Sequence, residues 1–189
     1  MRTVGIVLAG GLSRRFGSPK AFARIDNEYF YERAVEALMP HCEEVVIVTR
    51  PELMDSYPDQ VKVISDLPKV AGFGPLVGIL SAMEFVEADR FVVLPCDMPC
   101  VNVDVIGQLV ARHDGAVTAI AAAGKYHPLV SVWDRKLKKS LREALQNNRF
   151  GVMELLEKLD VTWIDGHIFT DYEQGVFRNM NTPTDLEWG

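Results

Sequence analysis

Between Thr3 and Arg112, apolar β-branched runs alternate with amphipathic stretches. This alternation restricts the fold more than any other feature of the chain. Thr3 to Leu8, Glu44 to Thr49, Val61 to Ile64 and Arg90 to Leu94 are short, almost continuous apolar runs, the signature of strands buried on both faces. Tyr29 to Met39 has helical spacing and stops at Pro40, Leu76 to Val86 carries Pro75 at its first turn, and Val103 to Arg112 has Asn102 as its cap. Strands of this type separated by helices predict a mostly parallel central sheet with helices on both faces.

The pattern changes after Gly115. Ala116 to Ala122 and Leu129 to Trp133 are strands joined by the short connection Ala123 to Tyr126, which predicts antiparallel pairing in the C-terminal half. Asp134 is placed to cap a basic helix from Arg135 to Gln146, and a second short helix is expected over Val152 to Lys158. Val161 to Ile164 and Gly175 to Arg178 are candidate late strands. Thr182-Pro183-Thr184-Asp185 reads as a final helix start. At 189 residues, with no repeat or long linker, the chain reads as one domain over 1–189.

The first strand empties into Ala9-Gly10-Gly11-Leu12-Ser13-Arg14-Arg15-Phe16-Gly17-Ser18-Pro19-Lys20. Such a loop can turn backbone N–H groups and cations toward an anionic ligand, and glycine admits a phosphate where a Cβ would block it. It is neither a G-x-x-x-x-G-K-[ST] loop nor a G-x-G-x-x-G fingerprint. A simple connecting turn would account for Gly10-Gly11 alone, but not for the added arginines, Gly17 and Lys20. Net charge is −6, while the residues before the first acid, Asp26, include Arg2, Arg14, Arg15, Lys20 and Arg24. An acidic chain with one basic mouth suits a small anionic substrate and argues against nucleic acid as a partner.

Ligands of open α/β sheets bind at the carboxyl ends of the strands. Two acids fall there besides the first loop. Asp97 lies in Pro95-Cys96-Asp97-Met98-Pro99, a carboxylate on stiff backbone. It could be a turn-forming Asp, but beside a phosphate-type loop it reads as a hard ligand for Mg²⁺. Asp66 follows the third strand and precedes Ala71-Gly72-Phe73-Gly74-Pro75; contact with ribose or base, and capping of the next turn, are both open to it. Arg15 and Lys20 can neutralise charge on a leaving pyrophosphate. Cys42, Cys96 and Cys100 make an odd count with no matching Cys/His pair, so they read as structural thiols in a reducing compartment. No run approaches the roughly 20 apolar residues of a membrane span, and Arg14-Arg15 follow the first apolar run instead of preceding it. The expectation is a cytoplasmic protein without a membrane partner.

The string L-A-G-G-x-S-x-R-x-G-x-x-K resembles the signature loop of nucleotidyltransferases with a Rossmann-like α/β fold, and its Leu-Ala-Gly-Gly form is similar to that of the molybdenum cofactor guanylyltransferase family. Ile64-Ser65-Asp66, Gly74-Pro75-Leu76-Val77-Gly78, Pro95 to Pro99, His127-Pro128-Leu129 and Asn179 to Asp185 resemble further motifs of that family, in its order and over nearly the whole chain. The resemblance implies transfer of GMP from GTP to the phosphate of molybdopterin, with release of pyrophosphate, in the presence of Mg²⁺. It implies nucleotide contacts at Leu8, Ala9, Gly10 and Gly11, phosphate binding by Lys20, guanosine contact by Asp66, and both metal and nucleotide contact by Asp97. Residues 1–114 would form the nucleotide part and 115–189 the acceptor part, with His127, Arg149, Asn179 and Asn181 as acceptor candidates. Transient partners would be molybdenum cofactor synthesis proteins or molybdoenzyme chaperones. The chain departs from the family in two places: Thr49-Arg50 stands where an asparagine is typical, and Ser18-Pro19 precedes Lys20 where many members carry an acid.

Two rivals accompany this reading. A cytidylyltransferase of the same fold, acting on molybdopterin or a sugar or polyol phosphate, would share the chemistry, but such relatives tend to show Leu-Ala-Ala-Gly. A non-catalytic nucleotide-binding module would keep the glycine loop without needing a rigid metal carboxylate.

Overall fold

In chain order the strands are β1 (Thr3–Leu8), β2 (Arg24–Ile25), β3 (Glu28–Tyr29), β4 (Glu44–Thr49), β5 (Lys62–Ser65), β6 (Arg90–Pro95), β7 (Val117–Ala122), β8 (Lys125–Asp134) and β9 (Val161–Asp165). The helices are α1 (Phe30–Leu38), α2 (Pro75–Phe85), α3 (Val103–Ala111), α4 (Lys138–Gln146), α5 (Val152–Leu156) and α6 (Glu173–Val176). They come from a computed structural model that describes residues 1–188.

Seven strands form one sheet in the order β5-β4-β1-β6-β8-β7-β9. β4 and β6 flank β1 in parallel, β5 pairs parallel with β4, and β9 parallel with β7. Only β8 runs against its neighbours, pairing antiparallel with both β6 and β7. This is the mostly parallel α/β architecture, with one antiparallel element in the C-terminal half, that the apolar runs predict. Its loops after β1, β5, β6, β7 and β9 leave from one edge of the sheet.

The pleat sends alternate residues of each strand to opposite faces. Val4, Ile6, Val46, Val48 and Ile64 pack with Leu76, Ile79 and Met83 of α2 and with Leu141 and Leu145 of α4. Val7, Ile47, Val92 and Leu94 pack on the other face with Ala34 and Leu38 of α1 and with Val105, Ile106 and Leu109 of α3. Each such side chain, fully buried, contributes roughly 1.5–3 kcal/mol of transfer free energy. Gly78 of α2 lies close against β1: a Cβ there would be 2.8 Å from Leu8 Cδ2, the end of a side chain that would have to turn aside. The helix therefore sits directly on the end of β1.

Several local expectations hold. Asn102 Oδ1 accepts from Val105 N (3.1 Å), Pro75 opens α2, and Asp134 Oδ1 accepts from Lys136 N (2.8 Å). Others are corrected. The run Gly175 to Arg178 is not a strand: Glu173–Val176 is one helical turn, and Phe177 is buried beside His127 and Phe169. Gly-Val-Phe-Arg is too short to separate a helical turn from a strand, and packing decides between them. The helix expected from Arg135 starts with a 3-10 turn, Arg135–Leu137, before α4. The β7–β8 connection is tighter than expected, with only Ala123 (φ 50°) and Gly124 (φ 72°) outside the strands, both in the left-handed region that a two-residue hairpin turn requires. The small β2–β3 hairpin has no counterpart in the sequence reading. Its turn, Asp26-Asn27, also has positive φ (51° and 69°), which these residues tolerate.

In β8 the register on β7 jumps between Ala119↔Ser131 and Ile120↔His127, leaving Pro128 to Val130 outside that ladder. Pro128 has no N–H to offer, so the bulge falls where the ladder could not continue. No helix among the described residues is long and apolar enough to cross a membrane.

Candidate active site

The β1 loop leaves the sheet between β4 and β6. Ala9 N donates to Val48 O (2.8 Å), and Ala9 O accepts from Thr49 Oγ1 (3.3 Å). Thr49 is itself buried and receives a hydrogen bond from Tyr57 OH (3.4 Å). Thr49 thus props the loop from beneath, and the adjacent Arg50 reaches Glu52 (2.8 Å) with its Nε buried and without a partner. On the other side, Cys96 N donates to Leu8 O (3.1 Å), which sets the ends of β1 and β6 side by side.

Gly10 and Gly11 occupy open ground. A Cβ at Gly11 would meet no atom within 4 Å, and one at Gly10 nothing nearer than Thr49 C at 3.9 Å; neither residue has positive φ. The fold itself therefore makes no demand for glycine at either position. Arg14 and Arg15 are exposed, and their guanidinium groups make no hydrogen bond or ion pair among the described residues. Ser13 turns the loop back (φ 48°), and its Oγ accepts from Lys20 N (3.1 Å), fixing where the lysine leaves the backbone.

Lys20 and Asp97, 77 residues apart, meet at this edge: Nζ lies 2.7 Å from Asp97 Oδ2. Their side chains are 14% and 24% exposed, shielded enough to strengthen the pair yet open to a ligand. A second bond runs from Nζ to Asn181 Oδ1 (3.0 Å), and Met180 N donates to Asp97 O (2.8 Å). Two of the three lysine N–H donors are thereby occupied. Asp97 Oδ1 has no partner among the described residues, so a carboxylate oxygen remains for a cation.

Asp66 sits beyond β5, close to the α2 face that Gly78 leaves open: a Cβ there would be 3.7 Å from Asp66 Oδ1. Its Oδ2 accepts from Gly72 N (3.1 Å). Burial raises its carboxyl above the ordinary value, and the Gly72 N–H works against that shift. Across the same glycine-rich turn, Phe73 stacks on Phe150 (4.7 Å between ring centres).

The acceptor candidates scatter. His127 is buried, its Nε2 3.2 Å from Ala122 O, and burial lowers its pKa. Arg149 is exposed and lies 3.8 Å from Glu154. Asn179 is exposed, and Asn181 belongs to Lys20. An open cavity of about 780 Å³ lies instead at the tip of the β7–β8 hairpin, lined by Tyr126, Tyr172, Asp165, His167 and Glu173 among others. Asp165, His167 and Glu173 place one ligand atom each within 4.8 Å of one another, the one such group among the described residues; Asp97 is not part of it. The cysteines are unpaired, and burial pushes the Cys42 and Cys96 thiols up to about 12, which leaves them unreactive.

The contacts missed from sequence are those of Ser13, Asn181 and Asp185. Asn-Met-Asn-Thr-Pro-Thr-Asp reads locally as a helix start, and nothing in it points to a lysine 161 residues away.

Comparison with known proteins places the chain in a family. The model of the MobA-like NTP transferase domain matches residues 5–162. A Geobacillus sp. (strain WCH70) protein named "Probable molybdenum cofactor guanylyltransferase" is 38% identical over 98% of this chain and 97% of its own length. A Bacillus cereus protein of the same name is 35% identical over 94% of this chain and 90% of its own. Among solved structures, molybdopterin-guanine dinucleotide biosynthesis protein A from Archaeoglobus fulgidus superposes with a TM-score of 0.81 at 26% identity, covering 98% of this chain and 95% of that one. With that model matched over residues 5–162 and relatives 35–38% identical over nearly the whole chain, the chain belongs to the MobA-like NTP transferase family.

Proposed function

We propose that this protein transfers the GMP moiety of GTP to the terminal phosphate of molybdopterin, or of its molybdenum-bound form, in the cytoplasm. An oxygen of the acceptor phosphate forms a bond to the α-phosphorus of GTP, the α–β anhydride breaks, and pyrophosphate leaves with the bond's electron pair. The acceptor phosphate is anionic near neutral pH, so no strong general base is needed. Catalysis consists of in-line positioning and charge neutralisation.

The observation that carries this reading is the Lys20–Asp97 pair beside two glycines that the fold does not require. The N–H groups of the loop and Lys20 Nζ bind phosphate oxygens, and the exposed Arg15 can fold onto the pyrophosphate. Asp97 fits a Mg²⁺ ligand: it is a single, partly exposed carboxylate with one free oxygen, and Mg²⁺ commonly takes one or two carboxylates plus substrate phosphates. When bound there, Mg²⁺ supplies neutralisation of phosphate charge. Asp66, whose burial makes an unpaired charge costly, suits a donor-rich partner such as guanosine.

Residues 1–114 form the nucleotide part and 115–189 the acceptor part, with Asn181 reaching back to Lys20. For the acceptor ring, the cavity beside Tyr126 and Tyr172 offers aromatic faces at the same edge of the sheet. Molybdenum cofactor synthesis proteins and molybdoenzyme chaperones are the partners this product implies.

The test is pyrophosphate release with molybdopterin as acceptor, with and without Mg²⁺, comparing GTP, CTP and ATP. Release with GTP alone supports the proposal. Release with CTP alone moves the protein to the cytidylyl branch of the fold, and tight nucleotide binding without release refutes the transfer.

A further inference from the structure

The final turn of the described chain touches both members of the ion pair and is itself held by one carboxylate. Asp185 Oδ2 accepts from Asn181 N (2.8 Å), Thr182 N (2.8 Å) and Thr182 Oγ1 (2.9 Å), while Oδ1 accepts from Arg178 (2.7 Å). These bonds fix the backbone of Asn181, whose Oδ1 accepts from Lys20 Nζ at 3.0 Å. One residue earlier, Met180 N holds the carbonyl of Asp97 at 2.8 Å. Pro183 stiffens the turn on its other side.

The turn also packs on the loop, Met180 and Leu186 lying in one apolar cluster with Phe16, but that packing does not involve the lysine amine. Lys20 already has a charged partner in Asp97. A lysine is a long, flexible side chain that loses rotamer freedom when it is held in one pose. A neutral acceptor on its far side restricts it without neutralising it, so the cation stays available to an incoming anion.

We propose that Asp185 is a positioning residue for phosphate binding, acting through Asn181 to hold Lys20 at the mouth of the glycine loop. The proposal rests on the reading of Lys20 as a phosphate ligand. It assigns Asn181 to the nucleotide side of the site instead of the acceptor side. The same contacts hold the Asp185 carboxyl well below the usual carboxylate range, so the clamp stays charged at neutral pH.

The test uses inorganic tripolyphosphate, which carries no base and needs no acceptor. Its dissociation constant is measured by calorimetry, with Mg²⁺ present, for the full-length protein and for Asn181→Ala, Asp185→Ala, Asp185→Asn and the double alanine variant. Each alanine variant is expected to bind about 10-fold more weakly, the scale of one hydrogen bond to a charged group. The double variant should be no weaker than either single one, because both act on Lys20 by one route. Asp185→Asn retains one acceptor oxygen and should fall between wild type and Asp185→Ala. Losses that multiply in the double variant, or a folded Asp185→Ala that binds normally, overturn the proposal. Should Asp185→Ala fail to fold, Thr182→Val removes one donor to the same carboxylate and must weaken binding in the same direction. An intact cycle without GMP transfer would refute the transferase reading alone. A failed cycle with transfer intact would refute the positioning role alone.

Discussion

Replacing Gly11 with alanine separates what the fold needs from what a ligand needs. A Cβ at this position meets no atom within 4 Å, and the backbone φ lies outside the left-handed region. At such a position Gly→Ala stabilises by roughly 0.4–1 kcal/mol, through lost freedom of the unfolded chain. For a chain of 189 residues that is a rise in Tm of no more than about 4 °C. Binding should move the other way. The added methyl group stands where a phosphate must approach the backbone, and losing one N–H bond to a charged oxygen costs about 1.5–3 kcal/mol. The dissociation constant for GTP should therefore rise roughly 10- to 150-fold. Thermal melting and calorimetric titration of GTP give both numbers on one preparation. Unchanged GTP affinity in a folded Gly11→Ala protein would refute the phosphate loop, and a fall in Tm of several degrees would show that Gly11 serves the fold.

Four further outcomes follow from the same contacts. Asp97→Ala should abolish pyrophosphate release in a steady-state assay while retaining part of the GTP affinity, since the glycine loop remains. Gly78→Ala should change stability by less than about 1 kcal/mol in urea titration, because Leu8 can turn its Cδ2 away from the new Cβ and alanine gains helix propensity; a larger loss would show that Leu8 cannot move. Burial raises the Asp66 carboxyl, so the folded chain holds that proton more tightly than the unfolded one, and stability declines as pH rises through the carboxylate range. Asp66→Asn should thus be more stable than wild type at pH 7, with the gap closing below about pH 4, and a constant gap in urea titrations would refute this account. Tyr126→Ala, at the exposed rim of the cavity, should raise KM for the molybdopterin acceptor and leave KM for GTP unchanged in initial-rate kinetics.

Most of the sheet was legible because its signals are local. Val-Gly-Ile-Val-Leu, Val-Val-Ile-Val and Phe-Val-Val-Leu are β-branched runs between turn residues and helical stretches, which favours buried strands, and the punctuation at Pro75 and Asn102 marks helix starts that the structure reproduces. The 173–178 segment was not legible, because Val176 and Phe177 alone carry no period long enough to separate a turn of helix from a strand. Packing of Phe177 beside His127 and Phe169 made the choice.

The candidate site divides along the same line. The chain's own pattern marked most strands of the sheet, the loops that follow them and the residue types those loops carry: Gly10, Gly11, Lys20, Asp66 and Asp97. Those follow from hydrophobic period and from the chemistry of each loop, both read within a few residues. Only the tertiary structure decided that Lys20 meets Asp97, that Asn181 closes on the lysine from 161 residues away, and that Thr49 lies beneath the loop instead of facing a ligand. The physical reason is range. The apolar pattern of a strand and the residue types of a cap lie among neighbours in the chain, whereas the partner of a charged side chain is set by strand order, which brings distant loops to one edge.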